Sequence, residues 1–126
     1  MIYNARLEWK SDDIEEEVLL LINDVEIICF ANVMPYEVKE GNYYRVDMIP
    51  NVFGDYDIKE VGRECLDCIA RDPNKFSYKV TGWLLDNKIY SNGIVFEDDE
   101  FMFLFGYLNG RKVILNVDRI DVEFLF

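Results

Sequence analysis

The chain has 126 residues, with 25 acidic side chains against 13 basic ones, a net charge of −12 and no histidine. Without an imidazole there is no Ser-His or Cys-His nucleophile pair, no histidine general base and no histidine metal ligand. The excess of carboxylates sets the surface against phosphate backbones and anionic lipid, so neither nucleic acid nor membrane is an expected partner.

Residues 1–10 alternate: Tyr3, Ala5, Leu7 and Trp9 lie on one face, Asn4, Arg6 and Glu8 on the other, as in a half-buried strand. Ser11 to Glu17 is a polar, acidic connector. Val18 to Ile22 reads as a buried strand and Asn23-Asp24 as a tight-turn pair, so 17–22 and 25–32 form a hairpin or one long bent strand. Tyr43 to Ile49 alternates again, and Pro50, which cannot donate to a ladder, is expected to end it.

From Asp57 the period changes. Ile58, Val61, Cys65, Leu66, Cys68 and Ile69 fall on one arc at about 100° per residue. The charged residues Lys59, Glu60, Arg63, Glu64, Asp67 and Arg71 fall on the other. This predicts one long amphipathic helix over 57–71, with Asp57 and Glu60 in a capping-box arrangement and Pro73 beyond its end. Gly62 weakens that helix by ~1 kcal/mol relative to alanine.

Strand character returns at Phe76 to Leu84. Turn signals at Asp86-Asn87 and Ser91-Asn92-Gly93 bracket Lys88 to Tyr90. Ile94 to Phe96 and Phe101 to Leu108 read as strands split by the acidic run 97–100. Asn109-Gly110 predicts a type I′ hairpin leading to Val113, Leu115 and Val117. The apolar parity then flips to Ile120, Val122, Phe124 and Phe126, which implies a turn or bulge at Asp118-Arg119.

These elements predict a mainly β (α+β) fold: an antiparallel barrel or strongly bent sheet with one amphipathic helix, in a single domain spanning 1–126. Strands, one helix, then strands is similar to the element order of OB-type barrels, a resemblance that implies shape and not function. Hydrophobic residues at 51% and aromatics at 15% suffice for a core and rule out a disordered acidic tail. The apolar runs 18–22 and 101–105 are strand-sized, far short of the ~20 residues of a membrane span. The opening MIYNARLEW does not read as a signal peptide. With three cysteines, an odd number, the expectation is reduced thiols and a cytoplasmic location.

Cys65-Leu66-Asp67-Cys68 is a C-x-x-C. In mid-helix, on the apolar arc and with only Cys29 left as a further soft ligand, it is expected to be a buried, metal-free pair rather than a redox or zinc site. The acidic clusters are Asp12, Asp13, Glu15, Glu16, Glu17 and Glu97, Asp98, Asp99, Glu100. Neither has the spacing of a calcium loop, and nothing selects a catalytic pair from the 25 carboxylates. They read either as solvated turns that blunt strand edges or as a patch for a basic partner. Tyr43, Tyr44, Tyr56, Tyr90 and Tyr107 are expected to pack or anchor a protein interface, since base stacking would require a positive groove.

No catalytic residue, metal ligand or cofactor is therefore expected. Small acidic proteins that plug the cationic cleft of a nuclease or similar toxin, as bacterial immunity proteins and antitoxins do, are similar in composition. The expected function is non-enzymatic masking of a basic protein through those nine carboxylates. The alternative is an assembly subunit that pairs through the FMFLF and IDVEFLF segments as edge strands.

Overall fold

In the computed structural model, which describes residues 1–14, 16–33 and 38–125, the first four strands lie where the alternation puts them. They are β1 (Ile2–Lys10), β2 (Glu17–Ile22), β3 (Val25–Val33) and β4 (Tyr43–Asn51). Ala5 and Leu7, Val18, Leu20 and Ile22, then Ile27, Cys29 and Ala31 are all buried on one side. The β2–β3 turn carries φ values of 49° and 63° at Asn23 and Asp24, the two left-handed residues that a type I′ loop requires. Pro50 does not end β4. It sits inside the strand opposite Ile120, and the ladder runs on to Asn51.

A last strand, β11 (Arg119–Phe124), closes a barrel in the order β1-β2-β3-β11-β4. Numbered by its own strands that order is 1-2-3-5-4, the connectivity of an OB-type barrel. The β11–β3 contact is parallel and every other one is antiparallel. The expectation of purely antiparallel strands fails there for a topological reason. Five strands in a closed ring cannot alternate in direction all the way round.

Between β4 and β11 the chain builds a second, antiparallel sheet of β5 (Asp57–Glu60), β6 (Cys68–Arg71), β7 (Tyr78–Leu85), β8 (Lys88–Ser91), β9 (Ile94–Glu97) and β10 (Lys112–Val117). Its order is β5-β10-β7-β8-β9, with β6 beside β7. The buried residues of the barrel and of this sheet form one cluster. Two phenols tie them together: Tyr78 Oη accepts the N–H of Ile28 at 2.8 Å, and Tyr3 Oη accepts that of Val95 at 2.5 Å. The parity flip at Asp118 marks the crossing. Val113, Leu115 and Val117 are buried in the second sheet, whereas Ile120, Val122 and Phe124 are buried in the barrel.

The predicted helix over 57–71 does not form. Residues 57–60 pair with β10 and residues 68–71 with β7, separated by a loop that contains Gly62. Ile58 is buried while Asp57, Lys59 and Glu60 are exposed, and the strand is defined by its ladder with β10, Ile58 opposite Leu115. The marginal helical preference of a Gly-containing segment is outweighed by ladder bonds to two waiting strands.

The FMFLF segment is also not a strand. It forms the helix α1 (Glu100–Phe105), continued by a 3₁₀ turn at Gly106–Leu108. Asn109-Gly110 accordingly makes no I′ hairpin. With φ −56° and ψ 131° at Asn109 and φ 81° at Gly110, it is a type II turn closed by Arg111 N–H donating to Leu108 O at 3.0 Å. Among the described residues no helix is long and apolar enough to cross a membrane.

Candidate protein-binding surface

The acidic run 97–100 ends β9 and starts α1. Asp98 Oδ1 accepts the N–H of Glu100 at 2.9 Å, and its carbonyl accepts that of Phe101 at 3.1 Å. Asn87 Oδ1 takes the N–H of Met102 at 2.9 Å. Three donors of the first turn, which a helix cannot satisfy by itself, are thus provided for. The Tyr56 hydroxyl donates to Asp98 Oδ2. Burial, then this bond to a carboxylate, pushes the Tyr56 phenol far above its usual range, so it remains a donor. Asp98 is a structural residue of the helix start.

The short helix buries only one side. Phe101 is fully buried, its ring edge-on to Tyr56 with centroids 5.2 Å apart. Phe105 packs against the core and Leu108 is buried, giving a 101/105/108 face. The opposite side is open to solvent: Phe103 is 87% exposed, Tyr107 76% and Leu104 45%. Glu97, Asp99 and Glu100 are exposed beside it. Glu97 lies 3.8 Å from Lys88 in an exposed pair that contributes little. Asp99 and Glu100 make no ion pair among the described residues. An apolar knob with two aromatic rings and an exposed acidic rim is the composition of an interface anchor.

The first acidic cluster is built differently. Ser11 Oγ accepts the N–H groups of Asp13 and Ile14 at 3.2 and 3.1 Å, which shapes the loop. The Glu16 carbonyl accepts the N–H of Ala31 at 2.7 Å, and Glu17 begins β2. Asp12 and Asp13 are exposed, Glu16 and Glu17 half-buried, and Glu15 lies outside the described residues. The one large apolar side chain exposed there is Ile14. The loop leaves β1 after Lys10, whereas Val95, two residues before Glu97, is bonded to Tyr3 near the other end. Those ends are about 23 Å apart along the strand, so the clusters are separate features.

Cys65 and Cys68, expected to be buried, are both exposed, because the helix that would have buried them is a loop and the first residue of β6. Cys29 is buried in the barrel, and burial, with the nearby Asp121 charge, raises its thiol well above the usual range. Among the described residues no three His, Cys, Asp or Glu side chains are grouped so as to hold a metal ion.

The signal that reading the sequence missed is the pair Asp98-Asp99 ahead of an apolar run, which is a helix start rather than a strand break. Phe103, Leu104 and Tyr107 were hidden in a segment whose residues are nearly all apolar, where no period stands out.

Fold and surface together define the class: a closed five-stranded barrel of OB-type connectivity, carrying a second sheet between its last two strands and an exposed acidic-aromatic knob on that insertion. The chain belongs to the family described as Uncharacterised conserved protein UCP019853, which matches residues 1–125. No curated protein and no solved structure matches it.

Proposed function

We propose that this chain is a non-enzymatic binding protein that masks a basic surface on a partner protein, in the manner of an immunity protein or antitoxin inhibiting a nuclease or similar toxin. The observation that carries the reading is the exposure of Phe103, Leu104 and Tyr107 beside the carboxylates of Glu97, Asp99 and Glu100. The rings supply apolar area that is withdrawn from water on docking. The carboxylates steer a cationic partner and reject anionic ones. The groups whose proton affinity is most disturbed, Tyr56 and Cys29, are held protonated, the opposite of an activated nucleophile. Nucleic acid and membrane are not partners in this reading, and its setting is the cytoplasm.

The assembly alternative is not supported by the two segments that suggested it. It required residues 101–105 and the C-terminal strand to offer free strand edges. The first is a helix, and β11 is bonded on both sides, to β3 and β4.

The test begins with capture of the partner from native lysate and identification of a basic protein whose activity the chain inhibits. Stopped-flow association is then measured. Phe103→Ala and Tyr107→Ala should each weaken binding by about 2 kcal/mol, roughly thirtyfold in Kd, chiefly through dissociation. Glu97→Gln, Asp99→Asn and Glu100→Gln together should slow association and flatten its salt dependence. Unchanged kinetics in both sets would refute the assignment of this surface. Tight binding of single-stranded nucleic acid at physiological salt would overturn the functional reading itself.

A further inference from the structure

Where the chain crosses from the second sheet into the barrel, a cleft of about 510 Å³ opens, lined by Phe53, Lys75, Phe76, Ser77, Asp118 and Arg119. It shares no residue with the 97–107 surface, and its Ser77 hydroxyl donates to Asp72 at 2.7 Å. Two of the chain's 13 basic residues line it with one acid, Asp118, whose Oδ2 already accepts the N–H of Phe53 at 2.7 Å. Lys75 is exposed and makes no ion pair among the described residues.

Arg119 is held in a fixed pose. Its guanidinium carbon lies 4.1 Å from the centroid of Phe30 and 5.3 Å from that of Phe53. The Phe30 ring is in turn edge-on to Phe76 at 6.4 Å. One edge of the guanidinium donates to Asp121, Nε at 2.6 Å and Nη2 at 3.2 Å. Asp121 is 4% exposed, and its Oδ2 also accepts from Asn51 Nδ2 at 2.9 Å and Asn32 Nδ2 at 3.3 Å. The orientation of Arg119 is therefore set before anything binds. Its Nη1 makes no hydrogen bond among the described residues, and the side chain remains 25% exposed. Phe53, 67% exposed, presents its ring to the same cleft.

We propose that this cleft binds a small anion carried on a planar ring, the ring lying against Phe53 and Phe76 and the anionic group meeting Lys75 and Arg119 Nη1. The volume lies within the few hundred Å³ typical of small-molecule sites, and the lining combines aromatic walls with a small number of polar groups. Such a ligand has two chemical sources, a nucleoside monophosphate or an aromatic carboxylate. Both use the same two elements, a π face and one anionic head.

The test is a titration followed by amide NMR of the whole chain, with adenosine monophosphate in one arm and 2-naphthoate in the other. Adenosine, 2-naphthamide and inorganic phosphate serve as controls. The expected result is saturable shifts at Phe53, Lys75, Phe76, Ser77 and Arg119 with at least one of the two anions, the responding arm identifying the source. The matching uncharged compound and phosphate alone should bind about tenfold more weakly or worse, the equivalent of one lost contact. Lys75→Glu and Phe53→Ala replace exposed residues and should leave thermal unfolding unchanged while each weakens binding about tenfold. Three results overturn the proposal: no saturable shift at millimolar ligand with either anion, equal binding of phosphate alone, or binding indifferent to both substitutions.

Discussion

Replacing Tyr78 by phenylalanine removes one oxygen from the seam between barrel and sheet and leaves the ring in place. In the parent the phenol oxygen accepts the N–H of Ile28, 2.8 Å away on the outer side of β3. In the variant that N–H faces a C–H edge. A backbone donor buried without a partner costs about 1–3 kcal/mol, and because Ile28 is only half-buried the expectation is ~1.5 kcal/mol. With an unfolding entropy of about 2.1 cal/mol/K per residue, a domain of this size should lose roughly 6 °C in Tm. Urea unfolding at pH 7 measures the free-energy change directly.

The same residue supplies a pH signature. Burial raises the Tyr78 phenol above its ordinary value near 10, against a smaller opposing effect of the Ile28 hydrogen bond. A group whose pKa is raised by folding stabilises the protein below its unfolded value, and that contribution is lost as pH rises through the folded value. The stability gap between parent and Tyr78→Phe should therefore narrow above about pH 10. Tyr3 and Tyr56, both raised mainly by burial, continue to drive alkaline unfolding in the variant. A variant within ~0.3 kcal/mol of the parent at pH 7, with no narrowing at alkaline pH, would show that this bond does not tie the two sheets together.

Gly82→Ala should be strongly destabilising, because a Cβ there would lie 2.2 Å from the Tyr90 carbonyl oxygen. A loss of about 3 kcal/mol in denaturant unfolding is expected, and a loss under ~1 kcal/mol would mean that β8 moves aside freely. Asp121→Asn leaves Arg119 without its counter-charge in a half-buried position and should cost about 3 kcal/mol, read by the same assay. A thiol reagent should modify Cys65 and Cys68 in the native protein, and Cys29 only after unfolding. Protection of all three until denaturation would contradict the exposed loop at 61–67.

What was legible in the sequence was whatever depends on neighbours along the chain. The alternation of Ala5, Leu7 and of Ile27, Cys29, Ala31 dictates strands with one buried face, since a one-residue slip would turn every apolar side chain to water. Asn23-Asp24 and Asn92-Gly93 dictate their turns because left-handed backbone is cheap for these residues. The parity change at Asp118-Arg119 marks a change of face, although only the structure shows that it is a passage from one sheet to another. What the tertiary structure alone decided was every choice between locally comparable conformations. Residues 57–71 carry a helical period, yet β10 and β7 offered unpaired ladder groups to their two ends. Residues 101–105 suit a strand or a helix equally. The carboxylate of Asp98, the amide of Asn87 and a pocket for Phe101 beside Tyr56 made them a helix. That choice exposes Phe103 and Tyr107. The cleft at Arg119 gathers Phe30, Phe53, Phe76 and Asp121 from four distant stretches of chain, and no local pattern encodes a meeting of that kind.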